Sequence, residues 1–400
     1  MADLTPQERT VLDWLAAQRP AMLALLEALV NIDSGSHDKP GVDAVGARLR
    51  GVLESHGIVH DVIPDDRFGD ALRASVGGVP IAHLRDGVPG SGPNTTILLM
   101  GHRDTVFPQG EASRRPFRIE GGRAYGPGVA DMKPGLVMNA FVLAAFAKFG
   151  GAPAPLVGLF TGDEEIGSPF SRPLIEAEAR RARAVFNAEP GRPSGAVVTA
   201  RKGGAFMQLA VTGKAAHSGA NFAQGISAIE ELARKIVALH ALTDIARGIT
   251  VNVGIVRGGQ TVNTVAPSAQ AEVDLRFLTR ADRDVTMARI QSIVDTSYVP
   301  GTGARLDIFG EFLPLAETPD GERLYRHYAG CAEALGVKIP AEFTGGCADS
   351  GFAAGAGAPT LCATGPVGGK AHTPEEYLEL DSIVPRAQAL ALAILRLGQG

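Results

Sequence analysis

Side chains that commonly bind metal ions occur at several separated points of this 400-residue sequence. Imidazole nitrogens and carboxylate oxygens together are ligands for divalent cations, and this combination favours Zn²⁺. The sequence therefore predicts a site for divalent metal. The candidate residues are His102, Asp104, Asp131, Glu164, Glu165, Glu189 and His372.

Most of these candidates directly follow segments that resemble buried β-strands. The short apolar runs TTILLMG, PLVGLFT and RAVFN precede His102, Glu164 and Glu189, respectively. Unbroken apolar runs of this length are typical of strands in parallel sheets that are covered on both faces. Such sheets bind their ligands at the carboxyl ends of the strands. We therefore expect the candidate side chains to converge at one edge of a sheet.

The local spacing of the candidates suggests distinct roles. His102 and Asp104 are two residues apart, so on extended chain their side chains point the same way and Asp104 can accept a hydrogen bond from the far ring nitrogen of His102. Glu164 and Glu165 are adjacent, so on extended chain they face opposite directions. One of the two can then bind metal while the other faces a metal-bound water, an arrangement that suits hydrolysis.

Each motif also has a purely structural interpretation when it is taken alone. Asp131 precedes a predicted helix and would serve there as an N-cap, and the GDEE sequence is typical of a solvated turn. Their joint placement at successive strand ends favours the metal site.

The elements that must position these residues indicate two domains. Strands alternate with helices before GRPSG and again after LPLAETPDG, which predicts a mostly parallel α/β sheet. Between these points the order is β-α-β-β-α-β, a self-contained ferredoxin-like arrangement. We expect a discontinuous metal-binding domain of residues 1–194 and 313–400, interrupted by an inserted domain of residues 195–312. The predicted elements of the insertion are strands 205–211, 249–256, 269–278 and 304–309, with helices 225–242 and 280–295.

Composition and further motifs exclude several classes of protein. A net charge of −5 and a pI near 6.0 predict no binding of nucleic acid or anionic lipid, and no apolar run reaches the ~18–20 residues of a membrane span. The first twenty residues do not resemble a signal peptide, and three cysteines form no disulfide framework, so we expect a cytoplasmic protein. The sequence contains no GxSxG, HExxH or GxxxxGK[ST] motif, which argues against serine hydrolases, single-helix zinc proteases and P-loop enzymes.

Six ordered motifs resemble one enzyme family: GHRDTV, GVADMKPG, TGDEEIGS, NAEPG, GKAAHSG and KAHTPEEY. The sequence is similar to the dinuclear zinc aminoacylase and carboxypeptidase family, the M20 metallopeptidases. That family includes glutamate carboxypeptidase, acetylornithine deacetylase and succinyl-diaminopimelate desuccinylase. The likeness is greatest to the glutamate carboxypeptidase branch.

The resemblance implies a ligand set for two divalent metal ions per subunit, with Zn²⁺ favoured over Mn²⁺ or Co²⁺. Asp131 would bridge the two ions. His102 and Glu189 would complete one site, and Glu165 and His372 would complete the other. The family pattern also implies a cis peptide bond after Asp131.

The same resemblance implies cleavage of the amide bond of an N-acyl amino acid, or of a short peptide, with a free C-terminal carboxylate. A metal-bound hydroxide would attack the amide, Glu164 would act as general base, and Asp104 would support His102. His217, in GKAAHSGA, would stabilise the oxyanion.

Substrate binding is expected to involve the inserted domain, which would also act as a lid and form a homodimer. The candidate substrate-binding residues are Asn263, Arg276, Lys202 and Gly346. One departure concerns specificity, since glutamate-preferring relatives have a basic residue in the last strand of the insertion. This sequence has LDIFGEFLPL there, with Glu311 and no lysine or arginine. An apolar or aromatic amide substrate is an alternative to glutamate.

Two other functions remain open from the sequence. The same scaffold could act as an aminohydrolase that deaminates an aromatic amine, or the chain could be a non-catalytic binding protein that has kept the fold. The intact set of candidate ligands together with Glu164 argues against the second.

Overall fold

The computed structural model of the chain describes residues 4–78 and 95–398. The chain divides into two compact units, each with its own apolar core. The large unit comprises Met1–Ala200, Glu317–Thr344 and Phe352–Gly400, and the small unit comprises Arg201–Ala316 and Gly345–Gly351.

The regular elements of the described residues are numbered here in chain order. The strands are β1 Val59–Ile63, β2 Ala71–Val76, β3 Thr96–His102, β4 Arg118–Glu120, β5 Arg123–Tyr125, β6 Leu156–Thr161, β7 Ala182–Asn187, β8 Val197–Arg201, β9 Gly203–Thr212, β10 Thr250–Gly258, β11 Ser268–Phe277, β12 Gly303–Phe312, β13 Ala341–Thr344, β14 Thr360–Leu361, β15 Gly368–Gly369 and β16 Tyr377–Glu379. The α-helices are α1 Pro6–Ala17, α2 Arg19–Val30, α3 Lys39–Ser55, α4 Glu111–Arg114, α5 Lys133–Phe149, α6 Arg172–Ala179, α7 Ala228–His240, α8 Arg280–Asp295, α9 Pro319–Ala334, α10 Ser350–Gly355 and α11 Ile383–Arg396. Short 3₁₀ helices span Glu164–Ile166, Phe222–Gln224 and Leu380–Ser382.

The central sheet of the large unit has, among the described residues, the strand order β1-β2-β6-β3-β7-β14. Strands β6, β3, β7 and β14 run parallel to one another, whereas β1 and β2 are antiparallel additions at one edge. Every residue of β3 and β6 is buried, as expected for strands with both faces covered. The predicted mostly parallel α/β sheet is thus confirmed, although the sequence analysis did not predict β1 and β2.

Helix boundaries in the large unit follow local sequence signals. A capping box between Thr5 and Glu8 starts α1, and the next helix begins directly after Gln18 with Pro20 in its first turn. The N-terminal segment is therefore two helices. Among the described residues, no helix combines the length and the apolar character needed to cross a bilayer.

Helix α5 brings the metal-site loops close together. Its first thirteen residues after Lys133 are buried, so it is the central helix of the apolar core. A Cβ on Gly135 would lie only 2.0 Å from the backbone oxygen of Ala188, so no other residue could hold the first turn of α5 this close to the end of β7. This close approach places Asp131, which precedes α5, beside Glu189, which follows β7.

The small unit is an antiparallel sheet covered by two helices on one face. Its described strands have the order β10-β11-β9-β12, and its elements follow the chain order β9-α7-β10-β11-α8-β12. Residues of β9 and β11 alternate between buried and half-buried, which leaves the second face of the sheet open. The predicted ferredoxin-like order is confirmed, and α8 has the predicted bounds of 280–295.

Candidate metal centre

Three adjacent parallel strands position most of the candidate ligands. His102 is the last residue of β3, Glu189 follows β7 by two residues, and Glu165 lies in the 3₁₀ helix that follows β6. Because β6, β3 and β7 are parallel neighbours, these residues emerge at the same edge of the sheet. The loop before α5 adds Asp131, and the loop between β15 and β16 adds His372.

The structure brings these five side chains into two groups that share Asp131. One carboxylate oxygen of Asp131, Oδ1, lies 3.2 Å from Nε2 of His102, and Oδ2 lies 3.3 Å from Nε2 of His372. Glu189 Oε1 is 3.6 Å from the His102 nitrogen, and Glu165 Oε2 is 3.3 Å from the His372 nitrogen. The two oxygens of one aspartate thus face two separate imidazole–carboxylate groups.

The chemistry of each group fits a divalent cation. Each group offers one imidazole nitrogen and two carboxylate oxygens, and the atoms of a group lie within 4.8 Å of one another. His102, Glu165 and Glu189 have almost fully buried side chains, and buried carboxylates at this density are unfavourable without compensating positive charge. Nitrogen and oxygen donors of this kind suit Zn²⁺ and related metals.

The pKa values of the group around His372 show how strongly positive charge is favoured there. Hydrogen bonds to Asp131 and Glu165 raise the pKa of His372 to about 11. Burial raises the pKa of Glu165 to about 7. Burial would also raise the pKa of Asp131, but the hydrogen bonds from His102 and His372 outweigh it and hold that pKa far below its usual range. Metal ions compete with protons for such ligands, so the binding of a metal ion would release protons.

Asp104 meets the His102 ring with its main chain as well as with its carboxylate. Nδ1 of His102 lies 3.0 Å from the backbone carbonyl oxygen of Asp104, whereas the carboxylate Oδ1 is 3.4 Å away. The carboxylate also accepts hydrogen bonds from the backbone N–H of Glu164 at 3.1 Å, that of Glu165 at 3.0 Å, and the hydroxyl of Ser36 at 2.6 Å. Asp104 therefore orients the His102 ring through its main chain and fixes the glutamate pair through its side chain.

Glu164 and Glu165 do not lie on extended chain, so that expectation was wrong. They form the first turn of a 3₁₀ helix, in which successive side chains are about 120° apart rather than opposite. The turn is favoured because both backbone N–H groups donate to Asp104. The two carboxylates still diverge: Glu165 contacts His372, whereas Glu164 Oε2 lies 3.9 Å from Nε2 of His102.

Glu376, which was not predicted from the sequence, is a fully buried residue that holds the loop carrying Asp131. Its carboxylate accepts hydrogen bonds from the backbone N–H groups of Gly128 at 3.2 Å, Ala130 at 2.7 Å and Asp131 at 2.9 Å. Burial raises the pKa of Glu376 to about 7. The sequence feature that could have pointed to Glu376 is the glutamate pair in HTPEEY, shortly after His372.

We expect Glu376→Gln to weaken metal binding by roughly 10–100-fold, the usual effect of losing a partner that orients metal ligands. An amide has one acceptor oxygen, and its NH₂ group would oppose one of the three backbone donors. Competition with a chromogenic chelator would measure the affinity. The matched control is Glu375→Gln at the exposed neighbouring position, which should bind metal normally. Equal affinities for the two variants would contradict the positioning role of Glu376.

A cleft opens beside one of the metal-ligand candidates in the large unit. It has a volume of about 560 Å³, and its lining includes Glu165, Ile166, Phe107, His37 and Ser36. A volume of this size is typical of sites for small-molecule substrates. The large unit thus offers space for a substrate directly beside the His372 group.

Two predicted residues of the small unit lie on adjacent loops. The backbone N–H of Ser218, next to His217, donates to the carbonyl oxygen of Asn263 at 2.9 Å. Nδ1 of His217 accepts hydrogen bonds from the backbone N–H groups of Gly219 at 3.1 Å and Ala220 at 3.2 Å. In the neutral imidazole the proton therefore resides on Nε2, which is left to donate outward.

Arg276 and Gly346 are also neighbours in the small unit. Arg276 Nη1 donates to the Cys347 thiol at 2.9 Å, and Nε is 2.9 Å from a carboxylate oxygen of Asp274. Arg201, which the sequence analysis missed, donates to the carbonyl oxygens of Gly346 and Cys347.

Lys202 lies half-buried at the junction of β8 and β9. In the parts of the chain that the structure describes, no hydrogen bond joins Lys202 to Arg276, Asn263 or His217. The structure therefore places Arg276 beside the Gly346–Cys347 segment and His217 beside Asn263. Lys202 directly precedes Gly203, which pairs with Phe277 next to Arg276.

A parallel sheet that presents two imidazole–carboxylate groups with a shared aspartate at its strand ends has the donor set of a metal-dependent hydrolase. Comparison with known families gives the same result. The chain belongs to peptidase family M20/M25/M40, whose family model matches residues 98–396. The cis peptide bond implied by the resemblance is present between Asp131 and Met132.

Relatives and solved structures agree with this membership. Carboxypeptidase G2 of Pseudomonas sp. (strain RS-16) is 30% identical over 391 residues, which cover 96% of this chain and 91% of that protein. Acetylornithine deacetylase of Edwardsiella ictaluri (strain 93-146) is 27% identical over 406 residues, which cover 94% of this chain and 98% of that protein. An M20 family metallo-carboxypeptidase from Sulfolobus solfataricus has the same fold, with a TM-score of 0.73 at 18% identity and coverage of 94% and 98%. The chain is therefore a hydrolase that acts on C–N bonds by metal-dependent amide hydrolysis.

Proposed function

We propose that this protein cleaves the amide bond of an N-acyl amino acid, or of a short peptide, with a free C-terminal carboxylate, using two divalent cations of which Zn²⁺ suits the donors best. The observation that carries the proposal is Asp131, whose two oxygens face His102 and His372 at 3.2 and 3.3 Å. A shared aspartate between two such groups is the geometry expected for a pair of cations.

The cations would polarise the scissile carbonyl and lower the pKa of a water molecule, which is the chemistry that such a pair supplies. Glu164 is the proton carrier in this proposal. Its carboxylate lies beside the ligand cluster, 3.9 Å from the His102 nitrogen, and its backbone is fixed by Asp104. Glu164 Oε2 would accept a proton from the attacking water and later deliver it to the leaving nitrogen.

The small unit supplies the substrate-binding groups in this proposal. Arg276 would bind the free carboxylate, since a guanidinium forms charge-assisted hydrogen bonds with carboxylates. Asn263, Gly346 and Lys202 would bind the rest of the substrate. His217, whose Nε2–H is directed away from its own backbone contacts, would donate to the developing oxyanion.

We expect His217→Ala to lower kcat by about 10²–10³-fold, the usual effect of removing one oxyanion donor. KM should change little, because the donor acts mainly on the transition state. Steady-state kinetics on the best N-acyl substrate would test this. His240→Ala, at another exposed histidine of the small unit, is the matched control and should retain activity. A similar kcat for the two variants would remove His217 from the mechanism.

The direct test of the proposed function is a substrate screen with protein loaded separately with Zn²⁺, Mn²⁺ and Co²⁺. N-acetyl and N-benzoyl amino acids and dipeptides should yield a carboxylic acid and a free amino acid, detected by mass spectrometry. Metal content should reach two ions per chain. Release of ammonia from an aromatic amine without amide cleavage would instead support the aminohydrolase alternative.

We also propose a homodimer formed through the small unit. Strand β10 is an edge strand of its sheet, and Ile255 and Val256 on it are exposed. Exposed edge strands with apolar side chains are suited to pairing with another chain. Light scattering on the metal-loaded protein would measure the mass of the assembly.

A cytoplasmic location remains a prediction from the sequence.

A further inference from the structure

Three phenylalanines form a cluster on the open face of the small-unit sheet, named here the aromatic patch: Phe206, Phe309 and Phe312. The rings of Phe206 and Phe309 stack with centroids 6.3 Å apart, and Phe312 meets Phe206 edge-to-face at 6.4 Å. Phe206 comes from β9, and the other two come from β12, where the strand register shifts around Phe309. Phe309 is 58% exposed, whereas Phe206 is half-buried and Phe312 is buried, so Phe309 is the ring that the patch presents to solvent.

The aromatic patch adjoins the guanidinium that the proposed function assigns to the substrate carboxylate. The Arg276 guanidinium carbon lies 5.1 Å from the Phe206 ring centroid, within the range of a cation–π contact. Asp274 and the Cys347 thiol hold the same guanidinium from other sides. A carboxylate bound by Arg276 would therefore have the aromatic surface next to it.

The charged side chains of β12 are paired with other groups. Glu311 forms an ion pair with Arg283 at 2.6 Å, and Arg305 pairs with Asp307 at 2.8 Å. Strand β12 thus contributes aromatic rings to the patch. Among its described side chains, it offers no cation that lacks an acidic partner. An acidic side chain on the substrate would lose hydration there without gaining a partner from β12, whereas an apolar one would gain by burial.

We propose that the aromatic patch binds the side chain of the substrate's C-terminal residue and selects apolar and aromatic residues over acidic ones. This inference rests on the proposed function, in which Arg276 binds the neighbouring carboxylate. The patch decides specificity and takes no part in the chemical step, so its loss changes KM more than kcat for substrates that use it.

The test uses metal-loaded protein and three substrates that differ only in the amino acid: N-benzoyl derivatives of L-phenylalanine, L-alanine and L-glutamate. We expect kcat/KM to be highest for the phenylalanine derivative and lowest for the glutamate derivative. Phe309→Ala should lower the value for the phenylalanine derivative by about 10-fold, mainly through KM, and leave the alanine derivative nearly unchanged. Phe309→Arg should raise glutamate cleavage relative to phenylalanine cleavage.

The matched control is Phe343→Ala, because Phe343 is similarly exposed, at 54%, but lies on β13 in the large unit. It should leave the ranking of substrates unchanged. A wild-type preference for the glutamate derivative, or equal effects of Phe309→Ala on all three substrates, would overturn the inference while leaving amide hydrolysis intact. Cleavage of none of these substrates or of those in the wider screen would overturn the proposed function, and this inference with it.

Discussion

Glu164→Gln is expected to lower kcat by about 10³-fold while the protein still binds its full complement of metal. A positioned general acid–base group typically contributes about 10²–10⁴-fold, and the amide cannot accept a proton from water. The side chain is close to isosteric, and the backbone of residue 164 keeps its hydrogen bond to Asp104. Metal content by mass spectrometry and single-turnover kinetics would be measured on the same preparation.

Two further variants make that result interpretable. Glu165→Gln changes the adjacent carboxylate, which contacts His372, and should lose metal as well as activity. Glu120→Gln changes an exposed glutamate at the end of β4 and should alter neither metal content nor activity. If Glu164→Gln turned over substrate at a near-normal rate, another group would have to be the base.

Asp131→Asn is expected to have the second large effect, a fall in bound metal from two ions per chain to at most one. Asparagine keeps the size of aspartate but loses the charge and one of the two oxygens that face His102 and His372. The loss of activity should exceed the ~10–100-fold typical of losing a supporting partner, because a shared ligand is removed. Titration with Zn²⁺ followed by calorimetry would count the sites.

Variants that each change a ligand of only one of the two groups provide the comparison for Asp131→Asn. Glu189→Gln should weaken one site and His372→Ala the other, each leaving the second group intact. Asp381→Asn changes a fully exposed aspartate and should bind two ions normally. Binding of two ions by Asp131→Asn with unchanged affinity would contradict the shared role of Asp131.

The position of the candidate ligands could be predicted because it follows from a general property of parallel sheets. His102, Glu165 and Glu189 each come shortly after an apolar run, and such runs become neighbouring strands whose ends meet. The ferredoxin-like order of the small unit was readable for a similar reason, since buried and half-buried residues alternate along β9 and β11 and α7 has an amphipathic pattern.

What could not be predicted depends on hydrogen bonds between residues far apart in sequence. Glu376 holds the backbone of Asp131 across 245 residues, and Asp104 bends the Glu164–Glu165 segment across about 60. No local pattern encodes such contacts, so the glutamate pair was expected to be extended and Glu376 was overlooked. The aromatic patch was also invisible, because Phe206 and Phe309 meet only when β9 and β12 pair.

The order of the ligands along the chain has a consequence for biosynthesis. His102, Asp131 and Glu189 all precede the small unit, whereas His372 follows it. A ribosome therefore completes the His102 group some 180 residues before it adds the histidine of the second group. The ligands of the two groups are therefore synthesised in a fixed sequence, with His372 last. Truncation between residues 189 and 372 would leave a chain that contains every ligand of the first group but lacks the imidazole of the second.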